Sequence, residues 1–171
     1  MTENYMLETE RLKIYPLTPE QLRGWIYDVG TLEKTLGISY EADEATGEFA
    51  EILKGQLAVC ESDRENYIWH TFWFIERKSD GVIVGSADFK SVPDDRGDVE
   101  IGYGLGESFF GRGYMTETVK ALCGFAFGCD RVRRVIAETE VSNEKSHNVL
   151  RRCGFSEYYS GETLWWELKK K

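Results

Sequence analysis

Apolar and polar residues alternate over several short stretches of the chain, and this period of two predicts β-strands. Leu12 and Ile14 alternate with charged neighbours in the segment 7–16. Between residues 67 and 75 both alternating faces are apolar or aromatic, which predicts a central strand that is covered on both sides. The other predicted strands are 82–90, 99–105, 132–141, 155–159 and 164–168. The pattern therefore predicts a sheet of about six to seven strands.

Helical periodicity separates these strands. Thr18, Pro19 and Gln21 have the residue types of a capping box with proline in the first turn, so a helix is predicted to begin there. The segment 44–60 carries an apolar stripe at helical spacing, and so does the segment that follows Gly113. A short fourth helix is predicted over 144–153. Strands and helices mixed in this way indicate an α+β fold.

The length of 171 residues corresponds to one domain, and we expect a single domain over residues 1–171. The 42% of hydrophobic and 30% of charged residues are typical of folded water-soluble proteins and exclude collagen-like or wholly disordered chains. No apolar run approaches the roughly 20 residues that span a bilayer. The N-terminal segment lacks the features of a signal peptide. We therefore expect a cytoplasmic protein with no membrane partner.

The net charge of −9 argues against nucleic acid as the main partner. Its distribution is uneven, because residues 110–152 carry +3 and the rest of the chain carries −12. The basic stretch fits an anionic ligand, although solvated surface charge would produce the same asymmetry.

No metal site is expected. The cysteines have no C-x-x-C spacing, and the two histidines, His70 and His147, stand alone in the sequence. The cysteines are Cys60, Cys123, Cys129 and Cys153.

A glycine-containing turn, residues 105–114, lies between a predicted strand and a predicted helix. Such a turn binds anions, since glycine lets the backbone approach the ligand and the helix N-terminus presents free N–H groups. The dinucleotide pattern G-x-G-x-x-G fails here in every frame. A Walker A loop fails as well, because Arg112 and Gly113 stand where lysine and a hydroxyl residue are needed.

The pyrophosphate of coenzyme A is the third ligand class for such a turn. The segments EIGYGL at 100–105 and GRGYMTE at 111–117 resemble motif A of the GNAT superfamily of acyl-CoA-dependent N-acyltransferases. The segment 143–155 resembles motif B, and 7–12 resembles the opening strand of the RimJ/RimL-like branch. The resemblance implies a mixed, mostly antiparallel sheet with helices on both faces and strands that splay apart at the cofactor site.

The resemblance also implies which residues bind acetyl-CoA. Backbone N–H groups of the turn would bind the pyrophosphate, with Arg112 adding a charge, and the end of the preceding strand would bind the pantetheine arm and polarise the thioester. Asn143 would bind the cofactor from the opposite strand. The implied cofactor-binding residues are Tyr103, Gly104, Leu105, Phe110, Gly111, Arg112, Gly113, Tyr114, Met115, Thr116 and Asn143.

Glu100 matches the family's usual general base, which acts directly or through a water. Glu138, Glu140 and Glu162 are the alternatives. The tyrosine that often protonates the leaving thiolate is replaced by Leu150, and Ser146, one turn earlier, is the substitute we infer; a hydroxyl there could equally cap the helix or contact the cofactor.

The resulting hypothesis is an N-acetyltransferase that moves an acetyl group from acetyl-CoA to a small-molecule or peptide amine by direct attack. Two other classes stay open: an acyl-CoA sensor or degenerate domain without turnover, and an acidic interaction module without a ligand. The oligomeric state is also open, with a homodimer as one alternative.

Overall fold

The computed structural model describes residues 4–171, which form one open sheet with helices on both faces. The strands are β1 Leu7–Glu8, β2 Leu12–Pro16, β3 Ser39–Tyr40, β4 Phe72–Arg77, β5 Val82–Phe89, β6 Asp98–Leu105, β7 Arg134–Glu140, β8 Ser156–Ser160 and β9 Thr163–Lys169. The helices are α1 Pro19–Tyr27, α2 Val29–Leu36, α3 Gly47–Ser62, α4 Tyr114–Phe127 and α5 Glu144–Arg152. Two 3₁₀ helices cover Arg64–Trp69 and Glu107–Phe109.

Local sequence explains where the first helix begins. The Thr18 side chain accepts a hydrogen bond from the Gln21 N–H at 3.1 Å, and the Gln21 side chain accepts one from the Thr18 N–H at 3.0 Å. The predicted capping box is therefore present, with Pro19 in the first turn.

The sheet has the strand order β1-β2-β4-β5-β6-β7-β9-β8, and β3 pairs with β5 off this path. Most pairs are antiparallel, while β3 with β5 and β6 with β7 are parallel. The predicted mixed, mostly antiparallel sheet is confirmed. Its nine strands exceed the six to seven predicted, because β1 and β3 contain two residues each and are too short to give a periodic signal.

Strands β6 and β7 part at the centre of the sheet. Their parallel pairing runs only from Asp98 with Arg134 to Glu100 with Ile136. Strand β6 then continues to Leu105 and β7 to Glu140 without further pairing to each other. On its other edge β6 stays paired with β5 as far as Leu105. The predicted splay is thus confirmed, and it leaves one edge of β6 open at its carboxyl end.

Two apolar cores lie on opposite faces of the sheet. The first buries one face of the strands against α4, with Val119 and Leu122 among its fully buried members. The second buries the other face against α1, α2 and α3, with Trp25 and Leu53 near its centre. Helices on both faces are therefore confirmed.

The predicted strand over 67–75 is wrong in its first half. Residues Arg64–Trp69 form a 3₁₀ helix, and the strand begins only at Phe72. The apolar side chains that suggested a strand are buried here too, because Ile68 and Trp69 pack into the first core. A buried aromatic segment satisfies either conformation, so periodicity alone does not separate the two.

Candidate active site

Two cavities meet at the open end of β6. The turn cavity, of about 450 Å³, is lined by the turn at 110–116, the end of β6 and α5. The strand cavity, of about 510 Å³, has the ends of β5 and β6 among its lining, with residues of the segment 40–52 beside them. Residues common to both cavities are Tyr103, Gly104, Leu105, Asn143 and Ser146. All five are residues that the sequence predicts for the site.

The turn that precedes α4 has the geometry of an anion site. Gly111 and Gly113 have φ of 77° and 81°, the left-handed region that favours glycine. Gly113 caps α4 without a side-chain hydrogen bond. In the described part of the chain, no acceptor receives the N–H groups of residues 111–116. These free donors and the helix dipole together favour a negatively charged ligand.

Arg11, directly before β2, contacts this turn from outside the cavity. Its Nη1 donates to the Arg112 carbonyl oxygen at 2.9 Å, and its guanidinium pairs with Glu117 on α4 at 2.9 Å. The guanidinium also lies 4.6 Å from the centre of the Tyr114 ring. Arg11 thereby links the opening strand to the anion-binding turn, a function that the sequence did not indicate.

Two positively charged side chains line the turn cavity. Arg112 lies outside the cavity lining, and its guanidinium donates to the Ser108 carbonyl at 3.3 Å. Lys145 and Arg152, both on α5, line the cavity instead, and the Lys145 ammonium lies 4.2 Å from the centre of the Phe110 ring. Sequence reasoning counted these two residues in the basic stretch but did not assign them to the site.

Tyr103 and Ser146 bridge the gap between β6 and α5. Their hydroxyl oxygens are 2.6 Å apart, and either can donate. Burial raises the pKa of Tyr103 to about 12, so the phenol keeps its proton at neutral pH. Asn143, rather than Ser146, caps α5, because its side-chain oxygen accepts the Ser146 N–H at 3.2 Å. Leu150 is fully buried in the first core.

Glu100 lies at the last pair of β6 with β7, and 24% of its side chain is exposed. Partial burial raises the pKa of Glu100, while Lys90 opposes that shift. The Lys90 ammonium is 3.9 Å from the Glu100 carboxylate. Glu100 shares a face with Gly102 and the strand cavity but is absent from the residues that line it. Glu138, one of the alternatives, is among the residues that line that cavity.

Asp88, on β5, is a site residue that the sequence analysis missed. It lines the strand cavity and is 8% exposed. Burial raises its pKa to about 6. In the sequence Asp88 resembles an ordinary polar position of an alternating strand. Only the register of β5 against β6, which places Gly102 opposite Asp88, shows that this carboxyl faces a cavity.

Within residues 4–171, no three side chains of histidine, cysteine, aspartate or glutamate form a cluster that could hold a metal ion. None of the described helices has both the length and the apolar character that crossing a membrane requires.

Comparison with known sequences identifies relatives over most of the chain. The acetyltransferase (GNAT) domain family matches residues 11–156. A Bacillus subtilis (strain 168) protein named uncharacterized N-acetyltransferase YjdG is 26% identical over 152 residues, which cover 88% of this chain and 89% of the relative.

Solved structures share the fold. One is RimL, the ribosomal L7/L12 alpha-N-protein acetyltransferase, in complex with coenzyme A, with a TM-score of 0.66, 18% identity, and coverage of 96% and 97% of the two chains. Another is Mycobacterium smegmatis RimJ with CoA-disulfide, with a TM-score of 0.63, 17% identity, and coverage of 92% and 81%. The predicted fold, enzyme class and acetyl-CoA co-substrate are confirmed, as is the resemblance to RimJ and RimL. The chain belongs to the GNAT acetyltransferase family.

Proposed function

We propose that this protein transfers the acetyl group of acetyl-CoA to a primary amine by direct attack of the amine, without an acyl-enzyme. The observation that carries the proposal is the meeting of the two cavities at Tyr103–Leu105, where β6 has lost its pairing to β7. A donor in the turn cavity and an acceptor in the strand cavity would meet at that open edge. Direct transfer requires such a meeting, since the two substrates must lie in contact.

The turn cavity is the proposed site of acetyl-CoA, which supplies an activated thioester when bound. The free N–H groups of residues 111–116 would bind the pyrophosphate, with Lys145 and Arg152 contributing positive charge. The open edge of β6 at Tyr103, Gly104 and Leu105 would pair with the pantetheine arm. A β6 N–H group directed at the thioester oxygen would stabilise the negative charge that develops there.

Glu100 is the proposed general base. The acceptor nitrogen must lose a proton before it attacks, because an ammonium has no free electron pair. Partial burial raises the pKa of Glu100, which makes the carboxylate a stronger proton acceptor than an exposed glutamate. It would act through a water molecule, since its side chain lies outside the lining of the strand cavity.

Ser146 is the proposed source of the proton for the thiolate. Its hydroxyl lies at the junction of the two cavities. Tyr103 can pass its phenol proton to Ser146 through their 2.6 Å hydrogen bond and would then regain a proton from solvent. Leu150, at the usual position of the tyrosine, has no proton to give and is fully buried.

The acceptor is proposed to be a small-molecule or peptide amine. RimL, which shares the fold, is an alpha-N-protein acetyltransferase of ribosomal L7/L12, and this makes a protein N-terminus one candidate. A cytoplasmic location and a homodimer remain predictions.

The direct test is incubation of the purified protein with acetyl-CoA and a panel of primary amines, with detection of free thiol. We expect amine-dependent release of coenzyme A, and acetylated amine in equal amount by mass spectrometry. Binding of acetyl-CoA without thiol release from any amine would contradict the proposal.

The second candidate is an acyl-CoA sensor without turnover, and the observation that favours it is the buried Leu150 at the usual tyrosine position. Both candidates predict that acetyl-CoA raises the melting temperature, because a ligand at 100 times its Kd adds about 2.7 kcal/mol to stability. Only the enzyme releases thiol, so the two measurements together separate the candidates.

A further inference from the structure

The strand cavity is lined by a mostly buried carboxylate, that of Asp88, which makes no hydrogen bond or ion pair within the described residues. Asp88 is more than nine-tenths buried, and neither a hydrogen bond nor an ion pair reaches its carboxylate from the rest of residues 4–171. A buried carboxylate without a partner is costly, and proteins retain one where a ligand completes it. Its position in the lining of the cavity indicates where that ligand would lie.

Glycine at position 102 makes room for the Asp88 carboxylate itself. Gly102 lies directly opposite Asp88 in the register of β5 and β6, and Gly104 lies opposite Ser86. A Cβ atom at Gly102 would stand 2.7 Å from Asp88 Oδ1. The carboxylate lies in the lining of the cavity, so a small group can reach it from there.

The charged side chains near Asp88 form no bond to its carboxylate, which is therefore available to a ligand. Lys90, which directly follows β5 and also lines the strand cavity, extends toward Glu100, and 54% of its side chain is exposed. Glu138 accepts a hydrogen bond from Thr163 at 2.7 Å. Lys90 favours the charged form of Asp88 and Glu100 opposes it, and neither bonds to it. A cationic ligand is therefore the complement that this group lacks.

Part of the remaining lining is apolar, while Asp43, Ser86, Lys90, Glu138, Asn143 and Ser146 supply polar and charged groups elsewhere in the cavity. Tyr40, Phe49 and Phe72 supply aromatic surface, and Ile52, on α3, is 50% exposed at the same cavity. An ammonium at Asp88 would have its carbon substituents against these side chains. Aromatic and branched apolar groups gain from such contact, whereas a chain with further cationic groups would have to desolvate them there.

We propose that Asp88 binds the ammonium group of the acceptor in the strand cavity, and that the aromatic wall beside it selects a monoamine with an apolar substituent. The inference rests on the proposed function, since it assigns the acceptor subsite of that transfer. Asp88 holds and orients the ammonium, and Glu100 removes its proton. The two carboxylates therefore affect different kinetic constants.

The test uses the full chain, acetyl-CoA and three probes: phenethylamine, spermidine and the neutral analogue 2-phenylethanol. We expect a lower KM for phenethylamine than for spermidine, and no binding of 2-phenylethanol. Asp88→Asn should raise the KM for phenethylamine about 30-fold, as expected for loss of a charged hydrogen bond, with the Kd of acetyl-CoA unchanged. Asp95→Asn is the matched control, because Asp95 is exposed in the loop between β5 and β6.

Gly102→Ala is a second variant that keeps the charge but displaces the carboxylate, because its Cβ would stand 2.7 Å from Asp88 Oδ1. It should also raise the KM for phenethylamine. Melting temperatures of the variants establish that they fold. An unchanged KM in folded Asp88→Asn overturns the role of Asp88, and a lower KM for spermidine overturns the apolar selection.

A second measurement distinguishes failure of the proposed function from failure of the Asp88 subsite. If no amine releases thiol, calorimetric titration of phenethylamine into the protein loaded with coenzyme A still tests the subsite. Binding that is lost in Asp88→Asn supports the inference without turnover, and absence of binding to the unaltered protein overturns it.

Discussion

The two cavities are built from different parts of the polypeptide. The turn cavity presents backbone N–H groups from one continuous segment, residues 111–116, placed by two glycines with positive φ. The strand cavity depends on side chains from separate elements, among them Asp88 on β5 and Phe49 on α3. A backbone site constrains residue types within a few neighbouring positions, whereas a side-chain site depends on which strands lie together. The turn cavity can therefore be predicted from the sequence, whereas the strand cavity can be identified only from the fold.

Among the substitutions at the two cavities, we expect Glu100→Gln to have the largest effect, and this effect is on kcat. Loss of a general base should lower kcat about 100-fold while the Kd of acetyl-CoA stays the same. Since Glu100 must be deprotonated to act and burial raises its pKa, activity should increase with pH through that raised pKa. This dependence should be absent from the variant, as stopped-flow or steady-state rates across pH will show. A larger loss of kcat in Glu138→Gln than in Glu100→Gln would show that Glu138 is the general base.

Asp88→Asn should stabilise the protein as it impairs acceptor binding. Burial raises the pKa of Asp88 from 3.8 to about 6, so its contribution to stability is greatest below pH 3.8 and is lost as the pH rises through 6. Above that range the charged, unpartnered carboxylate costs roughly 3 kcal/mol. Thermal unfolding at neutral pH should show a higher melting temperature for the variant and no change for Asp95→Asn. A lower melting temperature would mean that Asp88 has a partner after all.

Gly111→Val tests the backbone site. Valine is strained at a φ of 77°, at a cost of about 1–3 kcal/mol, so the turn should rearrange and the Kd of acetyl-CoA should rise about tenfold. The KM of the amine should stay the same. Isothermal titration with acetyl-CoA measures the effect, and Gly55→Ala in α3, where a Cβ meets nothing within 4 Å, is the control. An unchanged Kd of acetyl-CoA would show that the positive φ at Gly111 is not needed for anion binding.

Arg11→Ala should have the smallest effect, since the residue acts on the turn from outside the cavity. Loss of its bonds to Glu117 and to the Arg112 carbonyl should weaken acetyl-CoA binding about fivefold. Arg23→Ala removes another exposed arginine–glutamate pair, that with Glu61, and should leave the Kd as it is. Equal Kd values for both variants would show that Arg11 does not order the turn.

Features that depend on neighbouring residues could be predicted from the sequence, and features that depend on contacts between distant strands could not. The sequence predicts the glycine turn, the α4 N-terminus and the capping box at Thr18, because each depends on neighbouring residues. It does not predict the 3₁₀ helix at Arg64–Trp69, where buried aromatic residues fit a strand equally well. The splay of β6 from β7 came from the resemblance rather than from spacing. Asp88 required a register that links positions 88 and 102, and no local pattern encodes this.

The open edge of β6 also has a consequence for folding. Between Ile101 and Leu105 the strand is paired on one side only, so the isolated chain has an incomplete sheet at its centre. A ligand that pairs with this edge acts as an additional strand and binds only the folded chain. The folded population would then rise with the concentration of that ligand by mass action. In a cell, the lifetime of such a protein would follow the supply of its own substrate.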